Sequence, residues 1–261
     1  MKCKNCQTNL KETAKFCDTC GGKVINHRLN FKTITSEFFE TFISWDNKFF
    51  KTVSHLITKP QEVANGYLDG VRKRYMQPFA YMLIAISVYG IYLVLSKEMM
   101  MDYIENMNKM MEEIFSYNSS SKAKEFNNNM LNKLLKYYNV YTLSSIPLLA
   151  FINKIIFKQR NFIEHNVALL YSYATFLLLS ATIGFVGVIL KIDYGTIYTL
   201  VMMIMIGYHM WFYKKMFNLD NVTIILKTLF FWLLMLAFYI ILFIIGVIII
   251  VTLLRLNLIQ R

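Results

Sequence analysis

The sequence predicts an all-α integral membrane protein with about five transmembrane helices, a small cysteine-bearing N-terminal module and an extramembrane amphipathic helical hairpin. Three observations predict it. Of the 261 residues, 56% are apolar and only 17% are charged, below the roughly one quarter usual in soluble domains. Three prolines and ten glycines supply little turn chemistry, which favours long helices over a β-rich fold. Several uncharged apolar stretches are long enough to cross about 30 Å of hydrocarbon at 1.5 Å per residue.

The chain begins MKCKNCQTNLKETAKFCDTCGG and has no other cysteines. Cys3, Cys6, Cys17 and Cys20 form C-x2-C-x10-C-x2-C. Each pair can aim two thiolates at one ion, and ten residues suffice for the return, so the spacing predicts a zinc ribbon over 1–26. Four cysteines leave no position open for water, which makes the zinc structural and not catalytic. Gly21 and Gly22 provide permissive backbone after the second knuckle. Disulfides are the competing reading, which a reducing compartment disfavours, and an iron–sulfur cluster suits so small a module less well. Lys2, Lys4, Lys11, Lys15 and Lys23 would be the phosphate contacts of a nucleic-acid-binding ribbon. They are read instead as a solvated face beside an anionic membrane.

Residues 29–77 predict amphipathic juxtamembrane helices. Phe38, Phe39, Phe42 and Ile43 make one apolar stripe; Phe49, Phe50, Val53, Leu56 and Ile57 make another, capped by Asp46 and ended at Lys59-Pro60. Aromatic, basic helices of this kind suit a bilayer surface. Arg72-Lys73-Arg74 then meets the headgroups, where each cation gains roughly 1 kcal/mol from anionic lipid. Much of the +12 net charge is explained without nucleic acid.

The transmembrane domain, 78–261, is read as spans at about 78–96, 141–157, 166–190, 196–213 and 222–254, with four spans as the alternative because the second carries Pro147 and Lys154. Between the first two, 97–140 reads as a helical hairpin. Met100, Ile104, Met107, Met111 and Ile114 recur at helical spacing, SYNSSSK breaks the pattern, and Phe126 to Tyr138 resume it. Its methionines are read as packing surface, although such a face also binds promiscuously. No early apolar core of a secretory signal is present, so the first span is expected to act as its own insertion signal.

Basic residues orient the chain. Thirteen Lys and Arg fall in 1–77 and three in each of the 154–165 and 214–227 connections, against six in 97–140, Lys191, and Arg255 with Arg261. The short connections place the N-terminus on the cytoplasmic side.

Within and beside the spans, Glu164, His165 and His209 form a candidate second polar site for metal binding or proton relay. Neutral residues such as Tyr171, Tyr173, Thr175, Ser180 and Thr182 supply the remaining polarity. The absence of deeply buried Asp, Glu or Arg counts against proton-coupled transport. No Walker loop, nucleophile elbow or His-Glu-x-x-His helix occurs, and no catalytic residue is assigned.

The knuckle Phe16-Cys17-Asp18-Thr19-Cys20-Gly21, the stretch DNKFFKTVSHLITKPQEVANGYLDGVRKRYMQPF (Asp46 to Phe79), IEHNVALLYSYATF (Ile163 to Phe176) and GYHMWFYKKMFNLDNVTIILK (Gly207 to Lys227) resemble a bacterial family of uncharacterised multi-span membrane proteins with an N-terminal zinc ribbon. In the second stretch Thr52, Pro60, Gly70, Arg72, Arg74, Tyr75 and Pro78 look like the family pattern. The hairpin is longer than that pattern, and NVALLYSY lacks a second histidine common after the first. The resemblance implies architecture and a bacterial inner-membrane location, and no activity.

The expected function is thus a non-enzymatic scaffold or docking protein presenting a cytoplasmic structural zinc ribbon at the bilayer. The alternative is a small-molecule, lipid or ion transporter or carrier with a cavity among the last three spans. Expected partners are membrane lipids with anionic headgroups; a protein partner at the ribbon and a homo-oligomer stay open, and nucleic acid is disfavoured.

Overall fold

The computed structural model describes residues 2–3, 6–11, 13–21, 24, 48–115 and 121–259, without the side chains of 115–128, 249–250 and 253–259. The stripe Phe38, Phe39, Phe42 and Ile43, the Asp46 cap and His27 lie outside the described residues. The chain divides into two compact units, Met1–Asp46 and Asn47–Arg261.

The larger unit is helical throughout. Helix α1 is described over 48–58; α2 spans Pro60–Leu68, α3 Pro78–Leu95, α4 Lys97–Phe115, α5 Ser121–Ile156, α6 Phe162–Ile189, α7 Tyr194–Phe217 and α8 Asn221–Ile259. Five segments are long and apolar enough to cross a membrane: Pro78–Leu95, Asn129–Ile156, Phe162–Ile189, Tyr194–Phe217 and Asn221–Ile248. This is an integral membrane protein of the predicted all-helical class.

The helices start where local chemistry lets them. Pro60 and Pro78 occupy first helical positions of α2 and α3, where a missing N–H costs nothing. Asn161 and Glu164 form a reciprocal capping box on α6: the Asn161 side chain accepts from Glu164 N at 2.9 Å, and Asn161 N donates to Glu164 Oε2 at 2.7 Å. Asp193 caps α7 through Thr196 N, and Asp220 accepts from Thr223 N at the start of α8. The Thr196 and Thr223 hydroxyls and amides hold both carboxyls below their usual range. Asn218 ends α7 in the left-handed conformation.

Helix α5 is longer than the sequence pattern suggests. Its 36 residues, roughly 54 Å at 1.5 Å per residue, run without a break through 140–141, so the second arm of the hairpin continues directly into the second span. The amphipathic periodicity changes there, but residues 137–146 contain no Gly or Pro to stop a helix.

The hub of the bundle is α6, the most buried span, which packs on α2, α3, α5 and α7; α8, packed on α5 and α7, is the least buried. The α3–α6 pair is close because small residues meet rings. Gly184 sits against Tyr92, and a Cβ there would run into the Tyr92 ring. Tyr92 also packs edge-on against Phe185 at 5.9 Å.

The first span begins deep. Tyr171, nine residues or roughly 13 Å into α6, donates its hydroxyl to Met76 O at 2.7 Å, and Tyr81 of α3 meets Thr175 at 3.0 Å. The space this leaves beside α6 and α7 is filled by α1 and α2. Leu56, Val63 and Ala64 are fully buried there, Asn65 Nδ2 donates to Met216 O, and Tyr67 lies edge-on to Tyr171. The carbonyls at the end of α1 are met by α7: Tyr208 donates to Leu56 O at 3.2 Å and Trp211 Nε1 to Ile57 O at 3.0 Å.

Gly184→Ala should lower thermal stability in detergent by about 1–3 kcal/mol, the usual cost of overpacking. Gly207→Ala should leave it unchanged, because nothing lies within 4 Å of a Cβ at that position. Equal effects of the two substitutions would contradict the close α3–α6 packing.

Candidate metal centre and intramembrane cavity

In the N-terminal unit the two knuckles have the same backbone design. Gln7 N donates to Cys3 O and Gly21 N to Cys17 O, both at 2.9 Å. The residue after the second cysteine of each pair is left-handed, with φ of 63° at Gln7 and 69° at Gly21. Gly21 meets that demand without a Cβ penalty. An antiparallel bridge between Lys2 and Asn9 and a Val24 N to Lys15 O bond of 3.0 Å tie the turns together.

Folding brings the four predicted cysteines into one cluster, with all Sγ atoms within 4.8 Å of one another. Cys3 and Cys20 Sγ are 3.7 Å apart and Cys6 and Cys17 Sγ 3.6 Å. A disulfide needs about 2.05 Å, so these are thiols. Four sulfurs each about 2.3 Å from a tetrahedral ion lie about 3.8 Å from one another, and the Cys3–Cys20 and Cys6–Cys17 pairs match that edge length. Thr8 bonds Cys6 Sγ through its hydroxyl at 3.3 Å and, with its backbone, pulls that thiol down to about 6. Cys17 moves the other way, up to about 11, with burial and its Cys6 and Cys20 neighbours raising it. The donor set fits a metal ion.

The second set of predicted residues separates into different tasks. Glu164 completes the α6 capping box and pairs with Arg160 at 3.3 Å. His165 is fully buried and donates from Nε2 to Phe157 O at 2.9 Å, at the end of α5; a carbonyl can only accept, so Nε2 carries the proton. Its Nδ1 has no partner among the described residues. His209 lies elsewhere along α7. The two imidazoles share Tyr213 as a neighbour, with ring centroids 6.5 Å from His165 and 4.7 Å from His209. Phe217, Phe157, Tyr213, His209 and Phe231 follow one another as a ladder of ring contacts between 4.7 and 5.1 Å. Lys227, the one charge inside the last span, donates to Ile156 O at 2.6 Å and sits 5.0 Å over Phe157. It thereby caps the end of α5.

His209 opens into a cavity of about 490 Å³ between α5, α6, α7 and α8, within the range of small-molecule sites. Thr142, Ser145 and Leu149 contribute from α5, Ser172 and Phe176 from α6, Met202, Met205 and Tyr208 from α7, and Phe231, Trp232 and Tyr239 from α8. These positions fall near the middle of each span, and no Asp, Glu, Lys or Arg lines the cavity among the described residues. His209 Nε2 and Trp232 Nε1 are buried without a hydrogen-bond partner there; each such atom costs about 1–3 kcal/mol.

The sequence pointed to His209 and to the last three spans, but not to the α5 wall or to Trp232. Thr142 and Ser145, three residues apart on one helical face of a candidate span, were the available signal for α5; Trp232 carried none.

Arg72, Lys73 and Arg74 are exposed in the 69–77 connection. Arg74 lies 5.3 Å over Tyr75 and 3.7 Å from Glu62, and Arg72 lies 5.6 Å over Tyr67. Gly70, with φ 101°, makes the turn that leads into them.

Residues 46–90 match the family described as Protein of unknown function (DUF3667). The match takes in Asp46 to Phe79, α1, α2 and most of α3. No curated protein and no solved structure matches the chain.

The purified full-length chain should carry about one equivalent of metal by elemental analysis, and Cys17→Ser should release it while leaving thermal unfolding of the spans unchanged. Since the ligands are thiolates, acid should release the metal as well. A Cys17→Ser protein that keeps its metal contradicts the four-sulfur site.

Proposed function

We propose that this protein is a non-enzymatic membrane protein that binds a small lipophilic molecule in the cavity between α5, α6, α7 and α8. The observation that carries the reading is the cavity itself: about 490 Å³ at mid-span depth, walled by four helices and free of charged lining residues among those described. An apolar chamber at that depth is reached from the hydrocarbon and suits a carrier or sensor of a membrane-soluble compound. The lack of charge in the lining argues against an ion as the cargo.

The metal in the cysteine cluster is zinc in a structural role. Four thiolates at tetrahedral spacing form a closed site, and a module whose core among the described residues is Cys3, Leu10 and Cys17 draws its folding energy from the ion. Bias of the basic residues and the reduced cysteines support a cytoplasmic N-terminus in a bacterial inner membrane. Arg72, Lys73 and Arg74 then meet anionic headgroups. A docking role for the zinc module is the second reading, and the observation favouring it is Phe16, 60% exposed beside Cys17, which offers a partner protein an apolar contact.

Native mass spectrometry of the full chain released from mild detergent should show a bound lipophile at roughly one per chain. Ser145→Phe, which fills the cavity from α5, should abolish that adduct while the zinc remains. An adduct indifferent to Ser145→Phe in a folded protein, or no adduct at all, overturns the cavity reading.

A further inference from the structure

The cavity is not uniformly apolar, and its free polar atoms have a definite chemistry. Several of its polar side chains are already bonded. The Ser145 hydroxyl donates to Thr142 O at 2.8 Å, that of Ser172 to Leu169 O at 3.5 Å, and that of Tyr208 to Leu56 O at 3.2 Å. Trp232 Nε1 and His209 Nε2 are buried with no partner among the described residues.

The two unpaired nitrogens belong to residues that line the same cavity. Phe231 packs against both rings, 4.7 Å from His209 and 5.6 Å from Trp232 between centroids. His209 lies eight residues from the end of α7 and Trp232 eleven from the start of α8, roughly 12 and 16 Å along their helices. Both lie inside segments long and apolar enough to cross a membrane, a setting that offers little water to satisfy them.

Their chemistry selects the ligand. An indole N–H only donates, and a neutral imidazole nitrogen donates or accepts, so the bound group must present an acceptor to Trp232. A carboxylate or phosphate would find no cation in the lining, and an ammonium no anion, so an ionised head would be buried unpaired. Met202, Met205 and Phe176 offer an adaptable apolar wall to the rest of the molecule.

We propose, resting on the cavity reading above, that the ligand is a neutral amphiphile whose head carries an acceptor oxygen, held at mid-membrane by Trp232 Nε1 and His209 Nε2. A quinone-type carbonyl and a long-chain alcohol hydroxyl share this chemistry. The carbonyl only accepts, so both nitrogens donate to it, whereas the hydroxyl accepts from Trp232 and donates to His209.

The test titrates the full-length protein in detergent with four probes sharing a ten-carbon chain: decyl-benzoquinone, 1-decanol, decanoate at pH 8 and decane. Binding is read as ligand-dependent thermal stabilisation. The two neutral headed probes should bind about 3- to 10-fold more tightly than decane, as one or two net hydrogen bonds allow, and decanoate should bind no better than decane. Trp232→Phe, which keeps an aromatic ring and removes the donor, should erase the advantage of both headed probes and leave decane unchanged. His209→Phe should weaken the alcohol and the quinone alike if both nitrogens take the head. The ratio between quinone and decanol tells which source the wild-type site prefers.

Decane binding as tightly as the headed probes sinks head recognition and leaves the cavity reading intact. Preference for decanoate overturns the neutral head. Failure of all four probes to bind removes the cavity reading together with this one. Because the comparison of decane with decanol uses only the wild-type chain, it holds even if a variant misfolds.

Discussion

The backbone of Met76 is the point on which the membrane unit depends. Its N–H donates to Thr52 Oγ1 at 3.0 Å and its carbonyl accepts from the Tyr171 hydroxyl at 2.7 Å, so the backbone of one residue ties α1 to α6 just before α3 begins. Thr52 is itself held, donating to Lys48 O at 2.6 Å. Met76, Thr52 and Tyr171 are all buried, where an unmet backbone group would cost as much as a lost hydrogen bond. This constraint sets the depth at which α3 starts. That depth leaves the space that α1 and α2 occupy, and their packing fixes α7 through Tyr208 and Trp211. With α7 held in that rotation, His209 faces the cavity. Residues 46–90, which match a family of unknown function, contain Thr52, Met76 and Tyr81, so the matched stretch is also the stretch that anchors the bundle.

Local features were legible in the sequence, and features built from several helices were not. The cysteine spacing is a local instruction: Cys-x-x-Cys followed by a residue free to turn left-handed yields the knuckle, and both knuckles follow it. Uncharged runs of span length are equally direct, because hydrocarbon thickness sets the number of residues. The α6 cap was also on the page, as Asn161 and Glu164 three residues apart before an apolar run, yet Glu164 drew notice for its neighbour His165. Proximity in sequence suggested a shared site. On a helix, adjacent residues point about 100° apart, and the fold sends Glu164 outward to Arg160 and His165 inward to Phe157.

The boundary between the hairpin and the second span shows a different limit. Periodicity reports environment, and α5 changes environment without changing structure. It is one-faced where Leu131 and Tyr138 pack toward Tyr89 and Tyr92 of α3 and apolar on more sides further along. A shift from amphipathic to apolar therefore looked like the end of a helix, although 137–146 hold no Gly or Pro to terminate one. The full set of residues that wall the cavity was out of reach for a related reason. Its walls come from positions 142–149, 169–176, 202–209 and 231–239, and only tertiary packing brings them to a common depth. Trp232 looks in sequence like any interfacial aromatic; its unpaired indole nitrogen acquires meaning only beside His209 and Phe231.

The two units are specified in different ways. In the cysteine module short-range turns gather four sulfurs that could hold a metal ion. The bundle rests on one buried hydrogen-bond junction and has a cavity with no charged side chain lining it among the described residues. The most direct measurement of the central claim is a density map of the full chain in lipid nanodiscs, at a resolution that shows side chains. The account predicts elongated density between α5, α6, α7 and α8, with its head against Trp232 and His209. Side chains filling that space, or a chamber holding only water, would contradict it.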